Sequence, residues 1–326
     1  MSNELVQGSG DYTYELIHDW GEPPSCIKYG NCHGVRVDEA GYIYVHHTVH
    51  ETSESLDTMV VFDPDGKFVK SWGPQFARGA HGLHLNKEGG EEFFYFCDIN
   101  REIVVKTTLD GEELFTLGRP EESEPYARPG EDGEKIPWKP TNLAVASNGD
   151  IYVGDGYGSS YVVQYNRGGE YIRTFGGPGN GSADGPGQLK VPHGIMIDDR
   201  DGEERLLVAD RSNSRLQYFT LDGEHLSSVG GVNLPCHFDI RGGDLLIPDL
   251  AARVTLMDRK NQVIAHYGEG PDDYRKRRTM SRENFMPGKF VCPHGACFDH
   301  EGNIFVVEWV EIGRVTKMRR ADREHR

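Results

Sequence analysis

No stretch of this 326-residue chain is apolar for anything like the ~20 residues a membrane-crossing helix needs, so no membrane partner is expected. Positive charge is also scarce: 35 Lys and Arg stand against 52 Asp and Glu, a formal net charge of −17. Nucleic-acid phosphates require a basic face, so that partner class is excluded. The one basic cluster, Arg275-Lys276-Arg277-Arg278, lies in an acidic loop and reads as a solvated or lid segment. The six cysteines (Cys26, Cys32, Cys97, Cys236, Cys292, Cys297) form no CxxC pair and no disulfide spacing. That argues against a stapled secreted scaffold and for a reducing cytoplasm. The start, Met1-Ser2-Asn3-Glu4, is polar and acidic, and no signal peptide is expected. No linker-like stretch divides the chain, so a single domain over residues 1–326 is expected.

What the chain does have is a repeat that counts six. Its copies open at Cys32-His33-Gly34, Ala80-His81-Gly82, Pro140-Thr141-Asn142, Pro192-His193-Gly194, Cys236-His237 and Pro293-His294-Gly295. Each opening precedes a turn rich in Asp, Glu and Gly, then an apolar strand such as Ile151-Tyr152-Val153 or Ile304-Phe305-Val306-Val307. A third strand and an Asp-Gly turn, as at Asp65-Gly66 and Asp222-Gly223, lead into a fourth strand. Four short strands per copy make each copy one propeller blade. The copy opened by His294 ends without a fourth strand, and the missing one stands at Tyr14 to Gly21. The expected fold is therefore all-β: a six-bladed β-propeller, NHL-like, its last blade closed by an N-terminal strand.

In a propeller the first strand of each blade lines the channel, and second strands end at the same mouth. One histidine before a strand is usually a hydrogen-bonded core residue; five in register suggest imidazoles meeting at one place. His81, His193 and His294 open alternate blades, the three-imidazole pattern of a catalytic zinc site with a fourth position for water. His33, Asn142 and His237 form the other alternate set, for a surrounding shell, a second metal or substrate. Asp98, Asp210 and Glu308, which end second strands, are candidates to orient the imidazoles. Three long connections, Arg119 to Lys139, Gly177 to Lys190 and Glu269 to Phe290, suggest a substrate lid.

From Pro140 to Phe219 the chain resembles the catalytic core of peptidyl-α-hydroxyglycine α-amidating lyase, within the NHL-repeat propellers. The motifs are Lys139-Pro140-Thr141-Asn142-Leu143-Ala144-Val145, Asp155-Gly156-Tyr157, Pro186-Gly187-Gln188, Val191-Pro192-His193, Val208-Ala209-Asp210-Arg211 and Arg215-Leu216-Gln217. The resemblance implies zinc on His81, His193 and His294, a catalytic tyrosine at Tyr157 and a channel arginine at Arg211. It also exposes departures. Where that family has a further catalytic arginine this chain has His47, Cys292 replaces a methionine, and Gly158 replaces a disulfide cysteine. His33 and His237 occupy slots where the family has no histidine.

These residues predict a metal-dependent lyase acting on a small hydroxylated or carbonyl compound by elimination, hydration or isomerisation. Tyr157 or a non-ligand histidine, His47 among them, would move the proton, and Arg211 would hold a carboxylate or oxyanion. Zinc is the expected cofactor; manganese, iron and copper suit imidazoles too, and a structural calcium ion is a further possibility. Two other readings stand beside this one: a redox-metal enzyme on the same histidines, and a non-catalytic NHL-type binding scaffold.

Overall fold

The computed structural model describes residues 5–130, 133–179 and 184–321. The fold is the six-bladed β-propeller that the repeat count predicts, with six antiparallel sheets. The chain divides into two compact units, one made of residues up to Arg78 together with those from Cys236 on, the other of Gly79–Pro235.

The Gly79–Pro235 unit carries blades two to four. Blade two comprises Ala80–Glu88, Glu91–Asp98, Ile103–Thr107 and Glu113–Leu117. Blade three comprises Asn142–Val145, Ile151–Gly154, Tyr161–Tyr165 and Tyr171–Gly176. Blade four comprises Pro192–Asp198, Arg205–Asp210, Arg215–Phe219 and His225–Val229. Blade three shows why its middle strands are continuously apolar. Side chains alternate across a strand, so Leu143, Ile151, Val153 and Val163 pack toward Tyr95 and Cys97 of blade two. Ala144, Tyr152 and Val162 point the other way, onto Ile195, Leu206 and Val208 of blade four. Both faces are covered, so a half-polar pattern has no place there; each buried side chain contributes about 1.5–3 kcal/mol.

The other unit holds blade one (Tyr29–Val37, Ile43–Val49, Met59–Phe62, Phe68–Trp72), blade five (Asp239–Arg241, Asp244–Asp249, Arg253–Met257, Val263–Tyr267) and blade six. Blade six runs Pro293–Phe298, Ile304–Glu308 and Arg314–Arg320, and Tyr14–His18 completes it in the register Tyr14 with Arg320 and His18 with Thr316. Tyr14 and Leu16 bury in that blade's core beside Ile304, Val306 and Met318, the reason the strand belongs there. Val6–Gln7 adds a fifth strand outside it, too short to show a pattern in the sequence.

The long connections are tied down where they are described. Tyr126, from a short helix Glu124–Ala127, is buried and gives its hydroxyl to Asp155 at 2.5 Å. The Trp138 indole donates to the Glu102 carbonyl at 3.0 Å. Residues 131–132 and 180–183 of the first two connections lie outside the described residues. In the third, Arg275 and Lys276 are exposed, Arg277 pairs with Asp273 at 2.8 Å, and Arg278 stacks 3.5 Å over the Trp309 ring.

Candidate active site

Four of the five opening histidines sit at β-bulges. In blade two Ala80 faces Asp98 and Leu83 faces Phe96, so His81 and Gly82 together oppose Cys97 alone. In blade four Pro192 faces Asp210 and Ile195 faces Val208, so His193 and Gly194 oppose Ala209. His294 is the extra residue between Pro293 and Gly295, and His33 the one between Cys32 and Gly34. A bulge inserts one residue and re-aims its side chain. Asn142 pairs regularly with Gly154, and His237 lies ahead of a strand that begins at Asp239. Asn142 and His237, the two openings without a His-Gly pair, are the two without a bulge.

The glycine after the histidine has its own function. His81 Nδ1 lies 2.7 Å from the Thr141 carbonyl oxygen, the residue before the first strand of blade three. A Cβ on Gly82 would overlap that same oxygen and come within 2.9 Å of the Asn142 Cα. Blade six repeats the device: His294 Nδ1 lies 2.9 Å from the His33 carbonyl, and a Cβ on Gly295 would lie 2.7 Å from it. Only glycine lets the neighbouring backbone close enough to hold the ring. A carbonyl can only accept, so Nδ1 carries the proton and Nε2 presents its lone pair. His81 is fully buried, and burial lowers its pKa to about 3, so the imidazole is neutral. A neutral imidazole, fixed through its second nitrogen, is the form that binds metals.

Within the Gly79–Pro235 unit these imidazoles meet Tyr157 and Arg211. The Tyr157 hydroxyl lies 3.1 Å from His81 Nε2, 3.2 Å from His193 Nε2 and 3.3 Å from an Arg211 guanidinium nitrogen. The two imidazole rings are 4.9 Å apart and edge to face, and the guanidinium carbon lies 5.3 Å from the phenol ring centre. The Asp-Gly-Tyr motif explains this placement. Buried Asp155 accepts the Lys139 amide at 2.6 Å, the Ser159 amide at 2.7 Å and the Tyr126 hydroxyl, locking the turn. Burial raises its pKa, with these bonds opposing the shift. Gly156 passes against the Pro192 carbonyl, where a Cβ would overlap it and lie 2.8 Å from Thr141 Cγ2. Tyr157 follows, and the residue is more than a third exposed.

In the other unit His33 and His294 are edge to face, ring centres 4.7 Å apart. His237 Nε2 lies 2.9 Å from the Arg36 guanidinium. His47 is fully buried against Tyr29, ring centres 4.8 Å apart, with Nδ1 on the Thr48 carbonyl at 2.7 Å. Burial lowers its pKa to about 4, so it too is neutral. Asn142 turns its side-chain oxygen to the Leu143 amide at 2.8 Å. The strand-end acids brace loops: Asp98 accepts the Asn100 and Arg101 amides, and Asp210 the Lys190 amide, Asn213, Arg215 and Gln217. Glu308 accepts the Val291 and Cys292 amides and pairs with buried Arg314. The orienting role they were candidates for is filled at His81 and His294 by backbone carbonyls. Thr141 and Tyr126 support the site yet carry no chemical signature; the Gly that follows each bulged histidine was the available clue.

No family model matches the chain. Among curated proteins, it is 33% identical over 236 residues to the peptidyl-glycine alpha-amidating monooxygenase of Mus musculus, a match that covers 66% of this chain and 23% of that protein's length. It is 26% identical over 350 residues to peptidyl-alpha-hydroxyglycine alpha-amidating lyase 1 of Drosophila melanogaster, covering 94% of this chain and 60% of the relative. Among solved structures, a streptogramin B lyase matches with a TM-score of 0.59 at 14% identity, covering 95% of this chain and 99% of that one, a likeness of fold. By sequence, the chain is a six-bladed propeller related to the peptidyl-α-hydroxyglycine α-amidating lyases.

Proposed function

We propose that the chain is a metal-dependent lyase that eliminates across a carbon bearing a hydroxyl group in a small molecule. The observation that carries this reading is the Tyr157 hydroxyl held between two imidazole Nε2 atoms and a guanidinium. The donor set fits a divalent cation. Its imidazoles are buried, His81 is neutral, and Nδ1 of His81 and of His294 is committed to a carbonyl. The ligands that the resemblance implies are His81, His193 and His294. Such an ion supplies Lewis acidity toward a substrate oxygen, and zinc suits neutral imidazoles well.

The chain's own residues do the rest. Arg211 donates to a carboxylate or to the oxygen on which charge develops. Tyr157, once its own proton has passed to solvent, takes the proton of the substrate hydroxyl; as the carbonyl forms and the C–N or C–O bond breaks, it returns that proton to the leaving atom. His47 separates this chain from its relatives. Buried and neutral, it offers no fixed positive charge where the family has an arginine, which supports a smaller, less anionic substrate than a peptide acid. The same residues would also serve hydration, the reverse addition.

We propose a cytoplasmic enzyme, a reading supported by its cysteines, which are free thiols. The test is metal content by elemental analysis, wild type against His193→Ala, followed by turnover of small N-acyl carbinolamines. About one equivalent of zinc in the wild type, lost in the variant, together with carbonyl release, supports the reading. Wild-type protein that takes up no metal after reconstitution leaves the binding scaffold as the account.

A further inference from the structure

Blade five departs from the other histidine-bearing blades in a way that changes its contribution. Its first strand starts at Asp239, so no bulge aims His237. The Arg36 guanidinium, which can only donate, lies 2.9 Å from His237 Nε2 and so occupies the lone pair a metal would need. Arg36 is itself fixed, donating to the Phe238 and Ala296 carbonyls at 3.4 Å with Asp239 at 3.9 Å. One residue earlier, Cys236 is fully buried, its amide held by the Pro248 carbonyl at 2.9 Å. Its sulfur lies within 4.8 Å of the ligand nitrogen of His294. The ligand nitrogen of His33 lies within the same distance of His294, making His294 the common member of a cluster inside one unit. Two ligands on one tetrahedral zinc stand roughly 3.5 Å apart, so a small side-chain rotation closes the gap.

We propose that Cys236 is a thiolate ligand to the ion held by His294, in place of His237. The existence of that ion rests on the metal reading above; the sulfur is the new element. On binding, the thiol proton passes to solvent and a sulfur–metal bond forms, with no change of oxidation state. A soft anionic donor among neutral imidazoles selects zinc-like ions over calcium, magnesium and manganese. It also identifies the Cys-His pair of blade five as a site motif shifted by one residue.

The experiment is the near-ultraviolet spectrum of the full-length protein loaded with cobalt(II). The wild type shows an intense thiolate-to-cobalt charge-transfer band. Cys236→Ser binds cobalt without that band and at least about tenfold more weakly. Cys292→Ser, two residues before His294, keeps it. Should Cys236→Ser fail to fold, X-ray absorption on the zinc-loaded wild type decides: one sulfur at about 2.3 Å supports the proposal, and a shell of nitrogen and oxygen alone at about 2.0–2.1 Å overturns it. Cobalt bound with no charge-transfer band, or a band that survives in Cys236→Ser, removes the thiolate while leaving the metal reading intact. No uptake of cobalt or zinc removes both.

Discussion

Gly82→Ala adds one methyl group where the structure leaves no room for it. Gly82 has no left-handed backbone conformation, so alanine is resisted there by space alone. The new Cβ would overlap the Thr141 carbonyl oxygen, lie 2.9 Å from Asn142 Cα and 3.2 Å from Cys97 Cβ. Two of those three neighbours are backbone, which cannot rotate aside. Relief requires the edge of blade three to move away, and that lengthens the 2.7 Å contact by which Thr141 holds His81. Overpacking costs about 1–3 kcal/mol and loosening a buried hydrogen bond about 1–3 kcal/mol, so a loss of about 2–6 kcal/mol is expected. The assay is urea unfolding, with metal content read on the same preparations. Gly118→Ala is the control: nothing lies within 4 Å of its added Cβ and its backbone is not left-handed, so it should be neutral or stabilise by about 0.4–1 kcal/mol. A Gly82→Ala variant within about 0.5 kcal/mol of wild type, holding its metal as tightly, would refute the claim that this glycine exists to admit the carbonyl.

Tyr157→Phe should retain metal and lose about 10²–10⁴-fold in turnover; full turnover would end its role in proton transfer. Histidine-selective ¹⁵N spectra should show His81 and His294 of the metal-free protein protonated on Nδ1, as their carbonyl partners require; an Nε2–H tautomer would contradict the site geometry. Acid should destabilise the metal-free protein early. His18 and His47 are lowered to about 4 and His81 to about 3 by burial, against an ordinary value near 6.5. The unfolded chain takes up these protons as pH falls through 6.5 while the folded chain does not. Stability is therefore complete above 6.5 and declines toward 4, by up to about 1.4 kcal/mol per pH unit for each histidine. Unfolding free energies that stay flat between pH 6.5 and 5 would contradict the neutral assignments.

Blade count and closure were legible because they depend on local chemistry repeated six times: alternating apolar strands, Asp-Gly turns, and an unpartnered third strand that Tyr14–His18 completes. Tyr157 and Arg211 were legible through their motifs, and the structure brings their side chains together with His81 and His193. The supporting residues were not. Thr141 acts through its carbonyl, which every residue possesses, and Tyr126 reaches Asp155 across 29 positions of sequence. His237 is placed unlike the other opening histidines for a physical reason. Alignment by repeat places it with the other histidines, but bulge position depends on where pairing begins, and in blade five pairing begins at Asp239.

Proton counting at Tyr157 gives the site its chemical direction. The phenol has one proton and accepts from Arg211, which has no lone pair to offer in return. It therefore donates to one imidazole at a time, although both Nε2 atoms lie at hydrogen-bonding distance. In the metal-free site His81 can only accept, because its proton is committed to Thr141; a bound ion would take that lone pair, and the hydroxyl, unlike a guanidinium, can turn away from it. The hydroxyl thus has lone-pair acceptors on one side in the metal-free site and a permanent cation on the other. In the proposed elimination the hydroxyl first loses this proton, then takes the substrate's and returns it to the leaving atom. Phenylalanine would preserve the ring's contact with Arg211 while deleting the proton, which makes the Tyr157→Phe comparison a test of chemistry rather than of packing.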